Sequence, residues 1–268
     1  PQTRPALKVT HAWYVDATAG DDAGSGTTTA PLRTIGEAVR RLSPGDRVYA
    51  TGGDSQSAFR ERVLIEAGKG GTQRNPTLVS TWPGRPPPVL DGFGEDRSKP
   101  GPGIGFQIEA AHVRLEGWTV VGYDESGIHL GGAFDAAVDC TVSRCERHGI
   151  FAYYAPHVSI VRPTVSDCAA QGISLRTSPF AVVAGGSSRD NGIDGLLLLQ
   201  NTDQALIVDF TATGNRRGVG VMTQSDGARL INVDLRGNEL EALNADPGCD
   251  VIEVGVLRED DPEPSLAP

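Results

Sequence analysis

Gly127-Ile-His-Leu130, Gly149-Ile-Phe-Ala152, Gly172-Ile-Ser-Leu175, Gly195-Leu-Leu-Leu198 and Gly218-Val-Gly-Val221 are five copies of one phrase. Their glycines stand 22, 23, 23 and 23 residues apart, and a degraded copy, Glu241-Ala-Leu-Asn244, follows after another 23. A fixed period in this range, with a short strand-like core per copy, is the signature of a solenoid. Eight residues before the glycine stands a small hydroxyl residue: Thr119, Thr141, Thr164 and Ser187. A second strand-like run precedes these, as in Val113-Arg-Leu-Glu116, Ala137-Val-Asp-Cys140 and Leu206-Ile-Val-Asp209. Each unit therefore holds at least two short strands and leaves no room for a helix.

Leucine-rich repeats have a similar length but need a leucine and asparagine framework that is missing here. Short strands with Gly, Asn and Asp at the corners fit a parallel β-helix instead. The first and third residues after each glycine are aliphatic: Ile128 and Leu130, Ile150 and Ala152, Ile173 and Leu175, Leu196 and Leu198, Val219 and Val221. Strand side chains alternate, so these pairs face one way and stack along the solenoid axis. Each buried aliphatic contributes roughly 1.5–3 kcal/mol. A single coil buries little; the stack does the burying. His129, Phe151, Ser174, Leu197 and Gly220, between the pairs, are expected to point outward.

The length suits one all-β domain. We expect it to span 1–257, with a first strand and capping helix at 13–46, irregular first coils at 47–110 and regular coils of 22–23 residues at 111–257. An acidic tail, 258–268, follows. A net charge of −10 argues against nucleic acid or an anionic membrane as the main partner. No apolar run reaches membrane-spanning length, so no membrane insertion is expected. Neither is a signal peptide present in this chain.

Residues 1–12 read as a loosely held lead-in, and Trp13-Tyr14-Val15 as a strand. Asp16, Asp21 and Asp22 in the next loop have two readings, a calcium site or a turn in which Asp binds its own backbone. Thr34-Ile-Gly-Glu37 is a capping box, and Ile35, Ala38, Val39 and Leu42 follow at helical spacing until Ser43-Pro44-Gly45. An apolar stripe on a lone helix ahead of a solenoid covers the open end of its core.

Gly20-Asp21, Gly26-Thr27, Pro31-Leu-Arg-Thr34-Ile35, Ala38, Pro44-Gly-Asp46-Arg-Val48 and Gly52-Gly53 carry a resemblance. This segment is similar to the N-terminal part of the pectate-lyase-like right-handed parallel β-helix superfamily, and the coils from His112 onward resemble the same group. The resemblance implies a right-handed parallel β-helix, a fold shared by lyases, hydrolases, epimerases, phage tailspikes and non-catalytic coils. It also implies a secreted or cell-surface monomer with a polysaccharide or oligosaccharide partner.

Before the regular coils, Arg47-Val-Tyr-Ala50, Arg62-Val-Leu-Ile65 and Thr77-Leu-Val-Ser80 read as strands, with loops at 83–88 and 92–105. Trp82, Arg85, Arg97 and Lys99, in or beside these loops, are candidates to wall a binding groove or to be plain surface. Val251 to Val256 reads as a last apolar strand. Cys145 and Cys168 hold the same place in adjacent coils, so either a disulfide or a stack of free thiols fits. Asn191, Asn215 and Asn238 continue that corner as an asparagine ladder. The spacings supply no zinc site.

Ligands of the resembled superfamily lie on the outward face of the repeated strand. There the row two past the glycine holds His129, Phe151 and Ser174; the row four past holds Tyr153 and Arg176. The row one before holds His148, Gln171, Asp194 and Arg217, and Tyr154 adds an aromatic. A lyase or C5-epimerase acting on uronic-acid glycan needs a cation for the carboxylate, a base for the C5 proton and an acid for the leaving oxygen. Arg176, His129 and Tyr153 are the candidate catalytic residues in that order. Phe151, Tyr154, Ser174, His148, Gln171, Asp194 and Arg217 are the candidate substrate-binding residues. Departures from the superfamily are explicit: neither outward row holds a carboxylate, no Lys follows Lys99, and the paired aspartates of polygalacturonase-type hydrolases are missing. A non-catalytic glycan-binding or structural module, or a glycoside hydrolase, is the alternative. No cofactor is implied beyond calcium.

Overall fold

The computed structural model describes residues 10–52, 57–93, 98–259 and 261. Its strands form three sheets of ten, six and eight strands, and each strand pairs in parallel with its equivalent one coil away. One coil takes a strand from each sheet: Val113–Glu116, Thr119–Val121 and Ser126–Leu130, then Ala136–Val138, Thr141–Ser143 and His148–Tyr153. The hydroxyl residues eight before the glycine open strands of the six-stranded sheet. The chain is a parallel β-helix.

The phrase glycines answer a packing demand. A Cβ at Gly149 would stand 2.3 Å from Cγ1 of Val165, a six-stranded-sheet residue of the following coil; one at Gly127 would meet Val142 equally closely. Beyond them Ile128, Ile150, Ile173, Leu196 and Val219 pair in register, all with no exposed surface. Leu130, Ala152, Leu175, Leu198 and Val221 form the second column, equally buried. In the regular coils the corner after a ten-stranded-sheet strand enters the left-handed region, with Asp139 at φ 52°, Arg162 at 48°, Asp209 at 53° and Asn232 at 53° where the residue is not glycine. That conformation costs a side-chain-bearing residue roughly 1–2 kcal/mol. Arg162 offsets part of it through a two-pronged bond to Asp139, 2.6 Å on each arm.

The helix, Ile35–Arg41, lays Ile35, Ala38 and Val39 on the core, with Leu42 buried just beyond it. Its capping box forms only in part. Thr34 Oγ1 accepts from the Glu37 amide at 3.2 Å, but Glu37 does not reach back. It pairs with Arg40 and Arg41 instead, and these two hold its carboxyl down at about 2. Asp22 takes the Thr34 amide, and Glu61 takes those of Ile35 and Gly36 at 2.8 Å each. A carboxylate suits these amides because they are unpaired and positive. Asp16 and Asp21 also accept from amides of their own turn, as the hydrogen-bonded reading of that loop expects. Among the described residues no group of three or more acidic, His or Cys side chains is placed to hold a metal.

The asparagine ladder is present. Asn191 donates to Asn215 Oδ1 from both its amide (3.0 Å) and its side chain (2.9 Å), and the Asn215 amide donates to Asn238 Oδ1 at 3.0 Å. Cys168 heads the ladder, its amide on Asn191 Oδ1, and Cys145 stands one coil above; all four cysteines are free thiols. Asn215→Ala leaves the buried Asn191 amide without an acceptor and takes one of the two acceptors of its Nδ2, which keeps Ser188 Oγ. At about 1–3 kcal/mol for the orphan, we expect the melting midpoint to fall by roughly 5–10 °C. An unchanged thermal scan would contradict the ladder's structural role.

One sequence expectation shifts. The last strand forms at Val251–Val254, but Ile252 and Val254 are 53% and 55% exposed, so it edges the ten-stranded sheet without closing the core. The lead-in up to residue 9, Gly53, Arg97 and most of the acidic tail lie outside the described residues. No described helix is long and apolar enough to cross a membrane.

Candidate functional site on the eight-stranded sheet

The candidate catalytic residues His129, Tyr153 and Arg176 all belong to strands of the eight-stranded sheet. The central row of its outer face runs Leu64, Gln107, His129, Phe151, Ser174, Leu197, Gly220 and Asn244 through consecutive parallel pairings. Beside it Tyr153, Arg176, Leu199 and Met222 form a second row. The row starts two coils earlier than the sequence reading placed it. Gly105-Phe-Gln-Ile108 is a further copy of the phrase, 22 residues before Gly127, and it folds as the strand Phe106–Ile108. The Pro- and Gly-rich stretch ahead of it hid that period.

With this copy the rows gain a carboxylate, which corrects the expectation that they have none. Glu109 follows the strand and accepts from Gln107 Nε2 at 2.9 Å. Its charge and that of Glu125 both act on His129, favouring the protonated imidazole. Burial acts the other way and dominates, so the His129 pKa lies below its ordinary 6.5. Neither ring nitrogen of His129 has a hydrogen-bond partner, and both are shielded from solvent. The ring lies nearly parallel to Phe151, centroids 5.2 Å apart.

Phe151 is the hub. His148 sits 5.0 Å from it and Tyr153 5.8 Å. Burial first, then the Arg147 charge, depress His148 to about 4, against a hydrogen bond with Gln171. Both imidazoles are therefore neutral at pH 7. The Tyr153 ring lies tilted against Tyr154, centroids 4.3 Å apart, and a hydrogen bond with that neighbour raises its pKa above the usual 10. Arg176 stands with its guanidinium carbon 5.6 Å from the Tyr153 ring centre, while its Nε donates to Gln200 Oε1. That carbonyl takes no charge from Arg176, so the cation stays available.

His129, Phe151, His148, Tyr153, Tyr154 and Arg176 thus come together. The phenyl ring of Phe151 neighbours both His129 and Tyr153, and no hydrogen bond joins those two. Ser174 and Leu197 belong to the outward row but are only 3% and 7% exposed, because their neighbours close over them. Asp194 is fully buried; Arg217 Nε and Gln171 Nε2 donate to it at 2.8 and 3.1 Å. These three satisfy one another and brace the sheet's edge. Trp82 and Arg85 do not wall this face. Trp82 follows a ten-stranded-sheet strand and packs on Tyr14 at 4.8 Å, with Arg85 over its ring. At the N-terminal end the face opens into a cavity of about 440 Å³ lined by Arg62, Val63, Leu64, Ile104 and Gln107.

Comparison with known proteins follows from this architecture. The model of the right-handed β-helix region matches residues 102–253, more than half of the chain. The chain belongs to the right-handed β-helix family. Among solved structures this β-helix is similar to the pectate lyase Pel9A, with a TM-score of 0.73, 14% identity and coverage of 94% of this chain and 78% of that one. It is also similar to an alginate lyase from Paenibacillus sp. str. FPU-7, with a TM-score of 0.59, 13% identity and coverage of 84% and 92%. For the periplasmic alginate epimerase AlgG the TM-score is 0.54, the identity 17% and the coverage 80% and 62%. At these identities the likeness is one of fold. A sequence search of curated proteins gives no match.

Proposed function

We propose that this β-helix is a polysaccharide-active protein, secreted or held at a cell surface, which cleaves or epimerises a uronic-acid-containing glycan. One observation carries the reading. A shielded, neutral imidazole with both nitrogens unpaired stands on the same face as a phenol that keeps its proton and an uncommitted guanidinium. Unpaired buried polar atoms are costly, and such groups cluster where chemistry is done. The names of the similar solved structures, a pectate lyase, an alginate lyase and an alginate epimerase, support the same direction.

In the reaction Arg176 pairs with the uronate carboxylate and stabilises the charge that spreads into it once the C5 proton leaves. His129, whose ring nitrogens are covered in this structure, takes that proton at the nitrogen that substrate binding uncovers. In elimination the electron pair forms the C4–C5 double bond, the C4–O bond breaks, and the Tyr153 hydroxyl protonates the departing oxygen. In epimerisation the same carbanion is reprotonated on its opposite face. Phe151 and Tyr154 supply the flat apolar surfaces that pyranose rings stack on. Asp194, Arg217, Gln171 and His148 hold the platform's edge. We expect turnover of at least one polymer when the protein is screened against uronic and neutral polysaccharides. Unsaturated products would be followed by ultraviolet absorbance and epimerised units by NMR. Binding without product would favour the non-catalytic module instead, and neither binding nor product would overturn both.

A further inference from the structure

The ten-stranded sheet turns outward a face that the candidate site does not use. In its strands Val182-Val-Ala184 and Leu206-Ile-Val208 the middle residue is fully buried in the core, and its two neighbours point out and stay partly exposed. A sheet with one wet face alternates apolar and polar residues. These strands are apolar throughout, which is the pattern of a sheet covered on both sides. Register gives two outward rows in the regular coils. One runs Ala136, Ser159, Val182, Leu206, Arg229 and Ile252; the other runs Val138, Val161, Ala184, Val208, Ile231 and Val254. Neither row holds a carboxylate, in a chain whose net charge is −10. Among the described residues no helix or further strand packs across them. Contiguous apolar faces of this kind mark interaction surfaces.

The relief of the face selects its partner. The first row begins small, with Ala136 and Ser159, and ends large, with Arg229 and Ile252. The corner column beside it runs the other way: the stacked rings of Phe134, His157 and Phe180 give way to Gln204 and Gly227. Turning a second copy by half a turn about an axis parallel to the strands reverses its coil order and sets each row over its own counterpart. Val182 of one copy then meets Leu206 of the other, Ser159 meets Arg229 and Ala136 meets Ile252. At the corner His157 meets Gly227. Each small group lies under a large one. We infer that this face is the interface of a two-fold dimer, two copies packed sheet on sheet with their solenoids antiparallel. Six strands about 4.8 Å apart and a width of about 17 Å give a footprint of roughly 500 Å² per copy. The two copies together hide about 1,000 Å² before side-chain relief is counted, which reaches the size that a specific interface needs. Arg229 is exposed and lies near the end of the patch, so its stem covers the face while its charge reaches the rim. The pairing leaves both eight-stranded sheets open, so it stands apart from the glycan reading. It departs from the monomer that the family resemblance implies.

The test follows the full chain by sedimentation equilibrium and light scattering from about 1 to about 200 µM, spanning the micromolar affinity that suits an interface of this size. The parent should reach twice the mass of one chain. Val182→Glu and Leu206→Lys should each weaken the dimer by at least about thirty-fold, because each sets a charge against an apolar partner. Both positions lie on the outer face, so circular dichroism and the melting midpoint at low concentration should match the parent. An equimolar mixture of the two variants should dimerise at least about ten-fold more tightly than either alone, because reversed coil order brings the two introduced charges together. A parent that stays monomeric, or a dimer that neither single charge weakens, overturns the inference. A monomer whose melting midpoint falls in both variants points to a segment of the same chain on this face, and overturns it too. A mixture no tighter than its components overturns the two-fold arrangement.

Discussion

Ile173→Asp is expected to remove cooperative melting from the central coils, or to lower the melting midpoint by at least 10 °C. Ile173 has no exposed surface and pairs in register with Ile150 on one side and Leu196 on the other. An ionised carboxylate there faces only aliphatic neighbours. The substitution forfeits roughly 1.5–3 kcal/mol of apolar burial and leaves an unpaired polar or charged group that costs several kcal/mol more. A domain is stable by only about 5–15 kcal/mol. Because each coil leans on its neighbours, the loss should spread along the stack. Circular dichroism and calorimetry on parent and variant give the answer, with Ile173→Val as the volume control, at about 0.5–1.5 kcal/mol. A variant that melts within a few degrees of the parent would show that this column is not the core.

That column was legible because burial there follows directly from strand alternation and a strict period. The same logic placed Tyr153 beside Arg176 and predicted the asparagine ladder, since register between equivalent coils is fixed by spacing alone. Where the period is masked, reading failed. Gly105-Phe-Gln-Ile108 has an aromatic in the aliphatic slot and follows a run of Gly and Pro, so Gln107 and Glu109 were left off the face. The helix cap went astray for a different reason. Glu37 has the right spacing, but the Thr34 amide it would bond is taken by Asp22, and Glu61, distant in sequence, takes the next two amides through the fold.

The site itself was readable as rows and not as contacts. Spacing says that His129 is diagonal to Tyr153; it does not say that the Phe151 ring neighbours both. Nor does it say that Leu197 leans over Gly220, where a Cβ would stand 2.9 Å from Leu197 Cδ1, making an outward residue a buried one. Rotamer choice depends on neighbours from three coils at once. Corner conformation is equally opaque, since Arg162 takes a left-handed geometry that local preference assigns to Gly or Asn.

On a substrate identified by the polysaccharide screen, His129→Ala and Tyr153→Phe should each lower kcat by about 10²–10⁴ with little change in KM. Arg176→Ala should raise KM and lower kcat together, because the guanidinium binds the carboxylate in the ground state and more strongly as negative charge develops on it. The pH profile separates these roles from structural ones. His129 works as a base only when neutral. Its pKa lies below 6.5, so activity should hold through pH 6.5 and fall only as acid protonates the ring. Tyr153 works as an acid only while protonated. Its pKa is raised above 10, so the alkaline limb should lie beyond that value. Glu109→Gln removes a charge that favours protonated His129, so the acid limb should move to still lower pH. His129→Ala should abolish the acid limb while leaving the alkaline one, and Tyr153→Phe should do the reverse. Full turnover in all three single variants would refute the assignment and turn attention to His148 with Asp194 and Arg217. An acid limb unmoved by Glu109→Gln would show that another group sets it.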